Sequence, residues 1–314
     1  MAYPSACLNS LYRVLFVSFF LLSIPIVGGL GPAKAQEVPP EVEAISDHLD
    51  VPFVPSQADV LRAMFDMTKA NKDDFVIDLG SGDGRIVIAA AKWLGARGFG
   101  VDLNAKLVDI SNKRAQEQGV ADRAQFFVRD IFATDISKAT LVTMYLLPEV
   151  VLQLRPKLLE TLKPGTRIAS HDYHLGNWRP DHVRIVGAGG EERSIVYAWT
   201  VPAKVAGTWS WDIAYRRYFN GVIPIKAEIE QHYQDLAGRV VADGGVTSLR
   251  EAIVNGTRIS FKTTTVIDDV VVDQDYVGTV KGKEINGTIR LSGSVKAVTL
   301  PWRAILQRRG PREP

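Results

Sequence analysis

Val76-Ile77-Asp78-Leu79-Gly80-Ser81-Gly82-Asp83-Gly84-Arg85 decides the fold. The apolar run Phe75–Leu79 has the length and composition of a buried strand. It enters three glycines and leaves them into Arg85–Leu94, whose apolar spacing is helical. Glycine permits positive φ and lets a ligand touch the backbone. The spacing is G-x-G-x-G, whereas a dinucleotide fingerprint needs G-x-G-x-x-G. No lysine follows the loop, so it is not a P-loop. Asp78 and Asp83 set negative charge beside it, which disfavours phosphate and suits a cationic ligand.

Outward from the loop, strands and helices alternate. Gly98–Val101 predicts a strand, Ala105–Gln118 a helix and Gln125–Val128 a strand. Leu141–Tyr145 and Arg167–Ser170 predict strands around a helix from about Glu149 to Leu162, stopped at Lys163-Pro164-Gly165. Val183–Val186 and Ser194–Thr200 bring the strands to seven. This order predicts an α/β doubly wound, mostly parallel seven-strand sheet covered on both faces. Asp102 ends the second strand, where a carboxylate accepts from ribose hydroxyls in such folds. Asp130 ends the third, placed for an adenine amino group, and Ile131 can pack on the ring. Acids at three successive strand ends beside a glycine loop suit a ligand with a cationic group and a nucleoside.

From about Val205 the helical period disappears. Turn signals recur at Asn220-Gly221, Asp243-Gly244-Gly245, Asn255-Gly256, Lys281-Gly282-Lys283 and Asn286-Gly287, between alternating runs such as Arg258–Lys262. They predict an all-β antiparallel meander of about eight strands, closed or nearly closed into a barrel. Asn255-Gly256-Thr257 and Asn286-Gly287-Thr288 also match a glycosylation acceptor, but hairpin turns explain them better.

The chain has 314 residues, with 37 Lys+Arg against 35 Asp+Glu. Removing residues 1–35, with Arg13 and Lys34, leaves 35 against 35. A neutral chain gives no support to bulk nucleic-acid binding, which needs many phosphate-neutralising cations. The single cysteine, Cys7, excludes a disulfide framework, a cysteine-based zinc site and thiol catalysis. Arg13, the apolar Val14–Leu30 and Ala33-Lys34-Ala35 form an export signal with a cleavage site before Gln36. An uncleaved anchor helix is the alternative, and both put the bulk of the chain outside the cytoplasm, periplasmic or on the outer face of the inner membrane. The expected organisation is signal peptide 1–35, linker 36–50, α/β domain 51–204 and barrel-like domain 205–314.

The glycine loop and its acids resemble the class I, seven-strand S-adenosylmethionine-dependent methyltransferases over roughly residues 50–200. Val51–Ser56, the DLGSGDGR of Asp78–Arg85 and Leu146-Leu147-Pro148 are similar to one branch, the protein-lysine methyltransferases. That branch includes archaeal enzymes of broad protein specificity and membrane-anchored mitochondrial ones. The resemblance implies S-adenosylmethionine as cofactor. Asp78, Gly80 and Gly82 would lie at its methionine part, Asp102 at the ribose and Asp130 at the adenine; Ser81 and Ile131 complete the candidate cofactor-binding residues. Gly207-Thr208-Trp209 and Trp302-Arg303-Ala304 resemble the first and last strands of lipocalin-like barrels on exported bacterial proteins. The export signal and the barrel depart from the methyltransferase branch.

Ligands of open α/β sheets bind at the carboxyl ends of the strands. The acceptor slot is therefore expected after the fourth and fifth strands, at Tyr145, Leu146, Pro148 and His171-Asp172-Tyr173-His174. Tyr145 and Asp172 are the candidate catalytic residues. His171 and His174 have no matching ligand motif elsewhere, and no metal is expected. The expected activity is methyl transfer to protein lysines. Small-molecule acceptors stay open as partners, as does envelope or membrane association for an exported chain. The competing reading is a non-catalytic exported binding protein built from the same two domains. Oligomeric state is not encoded in any motif.

Overall fold

The computed structural model describes residues 56–187, 193–214, 221–267 and 269–311. The expected export signal, the linker and Val51–Pro55 lie outside the described residues, as does Asn220. Helix α1 (Ala58–Thr68) buries Val60, Leu61, Met64 and Phe65 along one stripe. It stops at Lys69, whose left-handed conformation returns N–H bonds to Phe65 and Asp66. The following strands and helices are β1 (Phe75–Leu79), α2 (Arg85–Ala89, continued by a π turn Ala90–Leu94), β2 (Arg97–Asp102), α3 (Ala105–Glu117), β3 (Ala124–Val128), β4 (Leu141–Met144), α4 (Pro148–Thr161), β5 (Arg167–His171), β6 (His182–Val186) and β7 (Ser194–Thr200).

These seven strands form one sheet in the order β3-β2-β1-β4-β5-β7-β6. All run parallel except β7, which is antiparallel to both β5 and β6. The doubly wound expectation holds, with one reversed strand. One face packs on α1 and α2 through Val76, Leu141, Ala169 and Val196. The other packs on α4 through Ile77, Val142, Ile168 and Trp199. The pleat sends neighbouring residues to opposite faces, and both faces are apolar, so the strands read as continuous hydrophobic runs.

Nine assigned strands follow: β8 (Gly207–Ala214), β9 (Val222–His232), β10 (Asp235–Ala242), β11 (Gly245–Ser248), β12 (Arg250–Asn255), β13 (Arg258–Ile267), β14 (Val270–Lys281), β15 (Glu284–Gly293) and β16 (Val298–Arg309). β11 and β12 flank Leu249, whose N–H bonds Gly238 O, and together occupy one place beside β10. β10 also pairs with β9, so the antiparallel sheet closes as an eight-place barrel. Alternate residues point inward: Trp209, Trp211 and Ile213 on β8; Phe261 and Ile267 on β13; Trp302, Ala304 and Leu306 on β16. A polar chain is sealed among them. Tyr276 Oη and Thr263 Oγ1 donate to Gln274 Oε1, and Gln274 Nε2 donates to Thr265 Oγ1. Burial pushes the Tyr276 phenol far above its ordinary range. Its bonds being met inside, this chain fixes the register of β13 against β14.

Asn286-Gly287 is not the turn that its sequence predicts. It lies within β15, with Gly287 opposite Gly278 of β14. A Cβ on Gly287 would stand 2.0 Å from Val277 O, and one on Gly278 would stand 2.8 Å from the Trp302 ring. Gly278 makes room for the tryptophan, and Gly287 for the close approach of the β14 backbone. The tight turn is at Gly282, and Asn255-Gly256 forms a hairpin as expected.

The expected boundary at 204/205 falls in the connection between β7 and β8. Gln231 of the barrel holds this connection with its whole amide. Oε1 accepts from the Val205 and Ala206 N–H groups, and Nε2 donates to Ala203 O and Tyr233 O. Gly256 lies against Gly165, and its carbonyl accepts the Ala203 N–H. The barrel thus sits at the end of the sheet where β5 begins.

Candidate active site

The glycine loop is fixed from β2. Gly80 N–H and Ser81 N–H both donate to Val101 O at 2.9 Å. Gly80, Gly82 and Gly84 all have positive φ, at 77°, 50° and 78°. A Cβ on Gly80 would stand 2.5 Å from Leu146, so the segment after β4 closes directly over the loop. Asp102 organises the next turn. Its Oδ2 accepts Gly82 N–H and its Oδ1 accepts Asn104 N–H, both at 2.9 Å. Each oxygen keeps a second lone pair. Asn104 in turn caps α3 through the N–H groups of Lys106 and Leu107.

The two loop acids have opposite fates. Asp83 is buried between Arg85, which takes both carboxylate oxygens, and Arg114 of α3. Burial pushes its carboxyl up, but the bonds and charge of Arg85 and the charge of Arg114 outweigh it and hold it below the usual range. The expectation that Asp83 offers free negative charge is therefore corrected: two guanidiniums neutralise it, and it locks α2 to α3. Asp78 has no such partner. Its Oδ1 accepts from Thr143 Oγ1 at 2.7 Å, while Oδ2 is buried with no hydrogen bond. Burial pushes its pKa up to about 7, against the Thr143 bond and with the charges of Asp102 and Asp83. An orphaned carboxylate oxygen of this kind calls for a cation or a proton.

Ser81 is placed differently from its neighbours. Its hydroxyl is buried with no hydrogen-bond partner, and its Cβ sits where a side chain on Gly100 would be. Asp130 is exposed at the end of β3, and its Oδ1 accepts Phe132 N–H. Ile131 is half-buried beside it.

The acceptor side gathers at the ends of β4 and β5. Tyr145 Oη donates to Asp172 Oδ2 at 3.3 Å, and its ring lies 3.9 Å from the His171 ring. Asp172 takes left-handed backbone (φ 60°) and is tied to β7, its Oδ1 accepting Ile195 N–H and its N–H bonding Ile195 O. His171 is buried, and its Nδ1 shares a 2.8 Å hydrogen bond with Ser56 Oγ. Burial holds the imidazole below its ordinary pKa, against the carboxylates of Asp172 and Asp59. His174 faces elsewhere and accepts Gly176 N–H. Tyr173 stacks on Tyr145 at 6.3 Å. Trp178 is fully buried and anchors its segment, and Asn177 takes part in the same anchorage. Sequence reasoning missed the Ser56–His171 pair and the Thr143 bond to Asp78. Neither has a sequence signal, because the partners stand 115 and 65 residues apart.

Residues 78–182 match the family described as the ANTKMT methyltransferase domain. The protein-lysine N-methyltransferase of Saccharolobus islandicus is 40% identical over 146 residues, 46% of this chain and 91% of that protein. The adenine nucleotide translocase lysine N-methyltransferase of Mus musculus is 31% identical over 153 residues, 49% of this chain and 64% of that one. A solved Salinibacter ruber structure, described as an RNA methyltransferase with S-adenosyl-L-homocysteine, is 47% identical. It covers 48% of this chain and 96% of that one at a TM-score of 0.45.

The chain belongs to the protein-lysine N-methyltransferase family. It is an S-adenosylmethionine-dependent methyltransferase, not a mere binding module. The residues in place fit the cofactor. The orphaned Oδ2 of Asp78 suits an ammonium, and Asp102 has spare acceptor capacity for hydroxyls. Leu103, 73% exposed after β2, and Ile131 after β3 are the apolar residues available to a flat ring.

Proposed function

We propose that this methyltransferase acts on lysine side chains of proteins outside the cytoplasm. One observation carries the acceptor reading: the Tyr145 hydroxyl and the Asp172 carboxylate meet at adjacent strand ends, next to the glycine loop. S-adenosylmethionine, when bound, supplies the methyl group on a sulfonium. The chain aligns and deprotonates the acceptor. Positioning of this kind is worth about 7–11 kcal/mol in favourable cases. A lysine ammonium has a free pKa of about 10.4. The half-buried wall of Tyr145, Leu146 and Tyr173 disfavours the charged form. Asp172 Oδ2 and the Tyr145 hydroxyl are placed to accept the amine's N–H and to carry its proton toward solvent. Asp172 cannot swing away, because β7 holds its other oxygen.

A protein acceptor is favoured by the names of the relatives, the mouse enzyme's among them. Export is favoured by residues 13–35, which lie outside the described residues. The test is transfer of labelled methyl to an envelope protein fraction, with methyl-lysine identified after hydrolysis. Asp172→Asn keeps the tie to Ile195 but loses the charge. It should slow transfer about 100-fold, the scale of a lost acid–base group. Tyr145→Phe should slow it less, and both should bind S-adenosylhomocysteine as the parent does. Label recovered outside lysine would overturn the acceptor class, and unchanged rates would move the slot elsewhere.

A further inference from the structure

The sheet face that carries α4 has no second helix over β5 and β7 among the described residues. Between β5 and β6 the chain offers only the crossing segment 172–181. Its first residue is the acceptor-side Asp172. Its last, Asp181, accepts Thr200 N–H from β7. Its middle has no ladder pairing with a strand: Trp199 of β7 donates its indole N–H to Trp178 O at 2.9 Å, and α4 and the barrel supply the other holds. Gly176 has positive φ and leaves room for Arg155 of α4, which donates to Leu175 O and to Asn177 Oδ1. From the barrel, the β9–β10 turn lays the Tyr233 ring flat on Trp178, at 5.6 Å and 11°. Tyr233 Oη donates to the same Asn177 Oδ1 at 2.8 Å, and Gln234 Nε2 donates to Arg179 O at 2.7 Å. The Arg155 guanidinium also lies over the Tyr233 ring, at 5.8 Å.

Tyr233 holds a left-handed backbone (φ 54°), a conformation that an aromatic residue keeps only when its surroundings impose it. The Gln231 amide bonds its carbonyl and thereby fixes it. Tyr233 and Tyr173 pack on the same apolar layer as Trp178 and Trp199. The barrel turn therefore stands where a covering helix would stand, and completes the core beneath the acceptor segment. The Saccharolobus relative is matched over 91% of its length by 146 residues, which leaves no room in it for such a barrel.

We propose that Tyr233 and Gln234 are positioning residues for methyl transfer, through which the barrel holds segment 172–181 in its working conformation. The proposal rests on the assignment of Tyr145 and Asp172 to the acceptor side. It predicts that loss of the turn's grip loosens the acceptor wall and spares the cofactor loop, which is held from β2.

The test uses the full chain with Tyr233→Ala, Tyr233→Phe and, as a control, Asp235→Ala, which breaks only the exposed pair with Arg179. Amide exchange across 172–181 is read by mass spectrometry, and affinity by calorimetric titration with S-adenosylhomocysteine. In Tyr233→Ala, exchange of the segment should rise at least tenfold while affinity stays within twofold. Labelled-methyl transfer should fall about tenfold, mostly in kcat. Tyr233→Phe keeps the stack and should retain most of the rate, and Asp235→Ala should match the parent. Unchanged exchange in Tyr233→Ala overturns the proposal, as does a loss of cofactor affinity parallel to the loss of rate. Should Tyr233→Ala not fold, Gln234→Ala takes its place with the same expected outcomes. A parent that transfers no methyl to lysine sinks the acceptor reading, while the exchange measurement still decides the positioning one.

Discussion

A single carboxyl illustrates how burial can prepare a site. Asp78 keeps one oxygen without a bond in the interior, and its pKa rises from 3.8 to about 7. The raised value means that the fold prefers the protonated acid. Its contribution to stability is thus complete below pH 3.8, declines through the interval, and is lost above about 7. Asp78→Asn should therefore melt with the parent at pH 4 and several degrees above it at pH 8, without ligand. The cofactor reverses the order. A ligand ammonium needs the ionised form, so parent affinity should rise with pH up to about 7 and level off, whereas the Asp78→Asn affinity should be weak and flat. Titration calorimetry between about pH 5.5 and 8.5 reads both slopes. A parent affinity independent of pH would remove Asp78 from the ammonium site. Asp83, a few residues on, shows why a carboxyl in a motif is not by itself a ligand group: two arginines consume it.

At the scale of an element, the three glycines differ in what they make room for. A Cβ on Gly84 would meet the Phe126 ring at 2.7 Å and Ser111 Cβ at 2.8 Å, at the packed start of α2. On Gly80 it would meet the end of the Leu146 side chain. Left-handed backbone costs an alanine about 1–2 kcal/mol in either place, and overpacking adds about 1–3 kcal/mol where rings cannot move. Gly84→Ala should thus lower the melting temperature by about twice the fall in Gly80→Ala, which should instead weaken cofactor binding by displacing Leu146. Equal melting shifts would show that the helix start yields as easily as Leu146 does. The α/β elements were legible because strand and helix differ in period and several are bounded by glycine or proline, as at Gly80 after β1 and Pro164-Gly165 before β5. The candidate cofactor residues could be picked out because they occupy successive strand ends in the chain. Two features were hidden. Asn286-Gly287 has the composition of a turn, but pairing with β14 on one side and β16 on the other keeps it in a strand. Tyr233 carried no sequence signal, because its partners Trp178 and Asn177 lie in the other domain.

For the whole molecule, compartment is the property with the largest consequence. The export reading predicts an active phosphatase fusion after Asp50, when the phosphatase works only outside the cytoplasm, and a mature N-terminus at or near Gln36. An inactive fusion with intact Met1 would place the enzyme beside its cofactor supply and refute export. The barrel's ends bear on a different matter. Gly310 N–H bonds Ala206 O, so the strand that opens the barrel and the strand that closes it finish side by side. A unit whose entrance and exit coincide can be appended or spliced without rerouting what surrounds it. The dependence between the two parts is then lopsided. The barrel owes its closure to its own strands, whereas the α/β half takes an aromatic wedge, Tyr233, from the barrel. Removing the barrel would therefore cost more than the barrel itself, because the Trp178–Trp199 layer would lose the ring that now covers it.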